Sequence, residues 1–158
     1  MVDVVDTATR GRMMSGIRSR DTRPEMLVRS LLHARGFRYR VHAKELPAKP
    51  DIVLPRWRAV VLVNGCFWHG HDCHLFKLPA TRKAFWLEKI TKNAERDQRN
   101  VYDLQNAGWR TGTVYECALK GRARRDSKEI GDELARWIRS DVKTFDIAGL
   151  STVVVSTA

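Results

Sequence analysis

Cys66, His71 and Cys73 lie on one short stretch, and Cys117 is the only other cysteine in the chain. Three thiols and one imidazole form a tetrahedral donor set for structural zinc, because soft thiolates suit that ion and all four positions are filled. The spacing is not that of a standard zinc finger. Free cysteine is also among the most buried residue types, so three unrelated core thiols would look similar in sequence. Two features favour the metal: Cys66 and Cys117 each follow the end of a segment that reads as a strand, and the stretch beside Cys66 and Cys73 carries His69, His71 and His74. Spacing alone does not say which histidine would bind. An odd number of cysteines argues against a disulfide framework.

Acidic chemistry is concentrated at Asp51, which follows Pro50 and opens the apolar run Ile52-Val-Leu. A carboxylate there is costly unless it sits exposed at the strand end, is paired, or binds a metal. It reads either as a turn-capping aspartate or as a magnesium ligand, since hard cations take a carboxylate plus several waters. Glu25 has a similar double reading, because Thr22 and Glu25 stand in capping-box spacing.

These side chains must be placed by helices and strands whose outlines are legible. A helix is predicted from Thr22, with Pro24 in its first turn, Leu27, Val28, Leu31 and Leu32 on one face, and Gly36 ending it. Phe37 to His42 alternates in the period of a half-buried strand, Asp51–Leu54 gives a second short strand, and Ala59–Val63 a continuous buried one. Lys83 to about Asn106, closed by Gly108, fits a long helix with Trp86, Ile90, Ala94, Val101 and Leu104 inward. Trp109–Tyr115 reads as a strand, and a last helix from Asp126 carries Ile130, Leu134, Trp137 and Ile138 on one face. The tail after Asp141 carries no assigned element. The order predicts an α/β fold: a small mixed sheet flanked by helices.

The chain has 158 residues, one ordinary domain, with 43% hydrophobic content. Its 29 basic against 18 acidic side chains give a net charge of +11. That surplus favours a polyanionic partner, because each phosphate neutralised by Lys or Arg releases condensed counterions. The cationic residues do not line one face of a long amphipathic helix, which disfavours a membrane surface. No apolar run approaches the ~20 residues needed to cross a bilayer. The start, Met1-Val-Asp-Val-Val-Asp, lacks the pattern of a secretory signal, so a cytoplasmic location is expected.

Several strings resemble the very short patch repair (Vsr) DNA mismatch endonucleases: Lys49-Pro-Asp-Ile-Val, Gly65-Cys-Phe-Trp-His, Pro79-Ala-Thr-Arg, Phe85-Trp-Leu-Glu-Lys-Ile and Glu116-Cys-Ala-Leu. Ala8-Thr-Arg and Arg20-Asp-Thr are similar as well, and the matches run in order to about residue 140. Tyr115 stands where the family often has tryptophan. The resemblance implies a restriction-endonuclease-like core with a structural zinc site. It also implies nicking of one strand of duplex DNA on the 5′ side of the thymine in a thymine–guanine mismatch. The organisation implied is a basic DNA-contacting arm over 1–21, an endonuclease domain over 22–140, and an unassigned tail over 141–158.

Carried over residue by residue, the resemblance makes Cys66, His71, Cys73 and Cys117 the zinc ligands. It makes Asp51, with the backbone carbonyl of Val63, the holder of a catalytic magnesium. His69 becomes the general base or water-orienting group, and Glu25 would hold a water on the metal. Asn64 stands where the family commonly has a second histidine; its amide can hydrogen-bond a water or phosphate but cannot accept a proton. Phe67, Trp68 and Trp86 would wedge into the base stack, Lys89 and Asn93 would contact the mismatched bases, and Met14 would approach from the minor groove. Lys120, Arg122, Arg124 and Arg125 serve phosphates more simply. The implied setting is a bacterial, nucleoid-associated monomer working with mismatch-repair and repair-polymerase proteins. Asn64 keeps two alternatives in view: a nicking nuclease with relaxed or altered target, and a catalytically silent mismatch-binding module.

Overall fold

Thr22 sets the start of the first helix: its Oγ1 accepts the backbone N–H of Glu25 at 3.3 Å, and Pro24 occupies the first turn, where a missing N–H costs nothing. In the computed structural model, which describes residues 21–150, this helix is α1, Arg23–Ala34. It ends through Gly36, whose φ of +81° is a left-handed conformation that suits glycine. The basic arm expected over 1–21, with Met14, lies outside the described residues except for Asp21.

Five strands follow in one sheet, in the order β1 (Arg40–Val41), β2 (Ile52–Leu54), β3 (Ala59–Asn64), β4 (Arg110–Tyr115) and β5 (Thr144–Ile147). The first two pairings are antiparallel and the last two parallel, so the sheet is mixed as predicted. β1 is far shorter than the Phe37–His42 alternation implies. Phe37 is buried in the main core, but His42 takes a positive φ of 54°, which turns the chain out of the ladder. β5 comes from the segment that sequence leaves unassigned. It is held by backbone pairing to β4 and by Gln105, whose Nε2 donates to Thr111 and Thr144 at 3.1 and 2.8 Å.

Between β3 and β4 runs α2, Lys83–Asn106, and α3 is Ser127–Ile138 with Asp126 as its N-cap. α1 and α3 cover one sheet face, where Val28, Leu32, Ile52, Leu54, Val61, Val114, Ile130, Leu134 and Ile138 form the main core. Gly112 of β4 leaves room for Trp137, since a Cβ there would lie 2.7 Å from the indole ring. The opposite face is thinly covered: Val53, Val60 and Leu104 form a small cluster, and only Ile90 and Leu104 of α2 are buried. Of the five residues expected inward on α2, Trp86, Ala94 and Val101 are half-buried, because the helix stands off the sheet and leaves a cleft beneath it. That cleft holds the chemistry.

Candidate active site and metal centre

The cleft, about 1200 Å³, runs between α2 and the sheet and is lined by Glu25, Asp51, Val63, Asn64, His69 and Asp97, among others. Asp51 sits at the mouth of β2, preceded by Ala48 and Lys49, both with positive φ (67° and 46°). Such backbone is costly for residues other than glycine, at about 1–3 kcal/mol each, and tends to cluster at functional sites. Asp51 Oδ2 accepts the backbone N–H of Val63 at 2.8 Å, which locks the carboxylate against β3. Burial pushes its pKa up to about 6; the Val63 N–H opposes that rise, the Glu25 carboxylate adds to it, and His42 and His69 oppose it. A half-buried carboxylate that shares the cleft with Glu25 and feels its charge suits a divalent cation, so the residues present fit a hard-metal site.

His69 and Asp97 form a pair: Nδ1 lies 2.5 Å from Asp97 Oδ2. A carboxylate on Nδ1 fixes the tautomer that carries the proton there and leaves Nε2 as the acceptor. Asp97 is not among the residues that the sequence motifs point to. The signal was there: Asp97 continues the stripe of Trp86, Lys89 and Asn93 at helical spacing.

Cys66, His71, Cys73 and Cys117 converge at the ends of β3 and β4, with all four ligand atoms within 4.8 Å of one another. His71 stands in this cluster, whereas His69 lines the cleft. Cys66 Sγ accepts the N–H of Cys117 at 3.3 Å, and Cys117 Sγ accepts that of Gly149 at 3.2 Å. Burial pushes the Cys66 and Cys117 thiols up, while burial lowers His71 toward the neutral form that ligates. Such a cluster fits a bound metal ion, whose charge is what allows buried thiols to ionise. Tyr115 stacks on His71 with ring centroids 4.0 Å apart and planes 13° apart, which fixes the imidazole. Gly149 is required by close approach, since a Cβ there would fall 2.6 Å from the Cys117 carbonyl.

Between Cys66 and His71 the loop presents Phe67 and Trp68, which meet Trp86 of α2 at centroid distances of 5.6 and 6.0 Å. Phe67 also packs edge-on against Trp68 at 5.1 Å. Lys89 is exposed, with Nζ 5.9 Å from the Trp68 ring centroid. Asn93 is already engaged: Nδ2 donates to the Trp68 carbonyl at 3.0 Å and Oδ1 accepts from Arg96 at 2.7 Å. In this state it braces the loop. Lys120 is exposed but paired with Glu116, and Arg125 with Glu129 and Glu133; Arg122 and Arg124 lie on the same turn.

A mixed sheet carrying a buried carboxylate, an imidazole–carboxylate pair and a Cys3His cluster at the ends of its central strands defines an α/β protein of the restriction-endonuclease-like class. A sequence model described as DNA mismatch endonuclease Vsr matches residues 2–75. The chain is 49% identical over 138 residues to the DNA mismatch endonuclease Vsr of Escherichia coli K12, covering 87% of this chain and 88% of that protein. It is 46% identical over 123 residues to the type II nicking enzyme V.NmeAIP of Neisseria meningitidis, covering 78% and 88%. A third relative, the type II nicking enzyme V.XorIIP of Xanthomonas oryzae, is 48% identical over 119 residues, covering 75% and 88%. The chain belongs to the Vsr family of DNA mismatch endonucleases.

Proposed function

We propose that this endonuclease nicks one strand of duplex DNA on the 5′ side of the thymine in a thymine–guanine mismatch, as a step of very short patch repair. The observation that carries the reading is the shared cleft: Asp51, Glu25 and the His69–Asp97 pair all open into it. The cleft is floored by one face of the sheet, through Val63, Thr111, Thr113 and Thr144, which suits an extended phosphate backbone. The surplus positive charge suits the same substrate.

Asp51 and the Val63 carbonyl are the proposed holders of magnesium, which when bound polarises the phosphate and stabilises charge on the leaving oxygen. His69 Nε2 takes the proton from the attacking water, while Asp97 keeps Nδ1 protonated and the ring aimed into the cleft. Glu25 accepts hydrogen bonds from water in the same space. Asn64, half-buried at the end of β3, can orient a water or phosphate, which leaves proton transfer to His69 alone. The Cys3His cluster is assigned to zinc, because four filled positions leave none for substrate. Phe67, Trp68 and Trp86 supply the wedge, Lys89 reaches the bases, and Asn93 joins it only by releasing Trp68. Unstacking costs least at a mismatched pair, which gives selectivity a physical origin.

The test is nicking of matched and thymine–guanine duplexes in magnesium. Cleavage confined to the mismatched duplex is expected; equal cutting of both would favour a relaxed nuclease, and binding without cutting a silent module. Asp97→Asn is expected to slow single-turnover nicking on the order of 10²-fold, the low end of what a positioned base contributes. Duplex affinity should stay unchanged. An unaltered rate would remove Asp97 from the mechanism.

A further inference from the structure

Arg29 is a buried cation on the helix that carries Glu25, and nothing in the mechanism above uses it. Its side chain is 10% exposed. Nη2 lies 3.2 Å from Glu25 Oε2 one helical turn back, and Nη1 lies 2.8 Å from Asp21 Oδ1. Asp21 is tied twice more. Its backbone N–H donates to Glu25 Oε2 at 2.8 Å, and its Oδ1 lies 3.0 Å from His42 Nε2.

The carboxylates of Asp21 and Glu25 and the His42 imidazole have ligating atoms within 4.8 Å of one another, a spacing that would also suit a cation. Arg29 decides between the two uses. Its guanidinium already lies between both acids, so the cluster contains its own positive charge, and an added ion would have to displace a buried fork of donors. His42 completes the arrangement. Its Nε2 lies 3.3 Å from Arg29 Nη2, which can only donate, so a ring proton pointing at Asp21 excludes any bond from Arg29. Together His42 and Arg29 hold the Asp21 carboxyl below its ordinary range.

Two further details show that the cluster positions residues. Among the described residues, both hydrogen bonds to the Glu25 carboxylate fall on Oε2, which leaves Oε1 to face the cleft that Glu25 lines. Both outer members of the cluster also keep left-handed backbone, Asp21 at φ 56° and His42 at φ 54°. Strain of that kind persists only where surrounding contacts over-determine it.

We propose that Arg29, with Asp21 and His42, is a positioning clamp that fixes the Glu25 carboxylate in the catalytic cleft. The clamp rests on the reading of Glu25 as a site residue. Arg29 touches neither phosphate nor metal; it acts through Glu25.

A double-mutant cycle separates this role from a merely structural one. Arg29→Met and Arg29→Lys are each made alone and with Glu25→Gln, and single-turnover nicking in magnesium, duplex affinity in calcium and thermal midpoint are measured. Arg29→Met alone is expected to slow nicking roughly 10²-fold, the cost of a small misplacement at a reacting centre. Affinity should be unchanged, Arg29→Lys should recover part of the rate, and with Glu25→Gln the further loss should be under about threefold. Equal losses in both backgrounds, or no loss in either, would overturn the clamp. If Arg29→Met does not fold, Arg29→Lys carries the same cycle. A Glu25→Gln variant with wild-type rate would instead sink the reading of Glu25, a distinct failure.

Discussion

Asp51→Asn is expected to abolish nicking and, in metal-free buffer at neutral pH, to make the protein more stable. The loss follows from the carboxylate that the Val63 N–H locks against β3: removing its charge removes the metal's anchor, worth several kcal/mol of transition-state stabilisation. That is on the order of a 10³-fold lower rate. The gain follows from burial. The Asp51 carboxyl is raised from 3.8 to about 6 in the folded protein. Because the folded value is the higher one, its contribution to stability is complete below pH 3.8 and is lost as pH rises through about 6. Above that the folded chain holds a buried charge, at about 3 kcal/mol relative to the neutral acid. Asparagine carries no charge, and its Oδ1 can still accept the Val63 N–H that Asp51 now takes at 2.8 Å. Thermal melts from pH 4 to 8 without metal should therefore show the two proteins converging at the acid end and Asp51→Asn melting higher at pH 7. Magnesium should raise the wild-type midpoint most above pH 6 and barely move the variant. A variant that nicks within tenfold of wild type, or that is less stable than wild type at pH 7 while equal at pH 4, would be inconsistent with this account.

How far such a site can be read before the fold is known depends on how local its signals are. α1, α2 and α3 were legible because caps and apolar faces lie within a few turns: Thr22, Gly36, Gly108 and Asp126 all mark boundaries that the structure keeps. The three cysteines were legible as a set, since strand ends and a histidine-rich loop announce them. Choosing His71 over His69 was not, because the choice is made by distant partners: Cys117 across the sheet for one, Asp97 on α2 for the other. β5 escaped for the same reason. Thr144-Phe-Asp-Ile is too short to carry a period, and its place is fixed by β4 and Gln105. Charged residues were the least legible of all. Arg29 sits at a position where a helix of this composition would normally show a solvated cation, yet it is buried among two acids. Sequence gives the charge of such a residue but not the partner that makes its burial tolerable.

Removing the metal from the Cys3His cluster is expected to act with the opposite sign from Asp51→Asn, and more strongly. Cys66 and Cys117 are buried, at 0% and 1% exposure, and their thiols are pushed up by burial, so without an ion they pack as neutral groups with no cross-link between them. Beyond the pairing of β3 with β4, the segments they join meet through a few contacts: Glu116 accepts the Cys66 N–H and Tyr115 stacks on His71. The loop from Gly65 reaches α2 through Asn93 and the aromatic cluster, and the turn after β4 reaches the segment beyond β5 through Gly149. Structural zinc contributes about 10–16 kcal/mol in small domains, comparable to the whole stability of an ordinary domain at about 5–15 kcal/mol. Even a fraction of that moves the midpoint far, at about 2–4 °C per kcal/mol for a chain of this length. Cys117→Ser should thus yield protein that is insoluble or melts more than about 10 °C below wild type, whereas the half-buried Cys73 should tolerate serine better than Cys117 does. Because Trp68 and Trp86 report on the loop, their fluorescence should change on chelation before the far-ultraviolet signal of α1 and α3, whose core of Val28, Leu32, Ile130 and Leu134 does not touch the cluster. Purified protein should carry about one equivalent of zinc. Protein with under half an equivalent and an unshifted midpoint would show that the three thiols are held by packing alone.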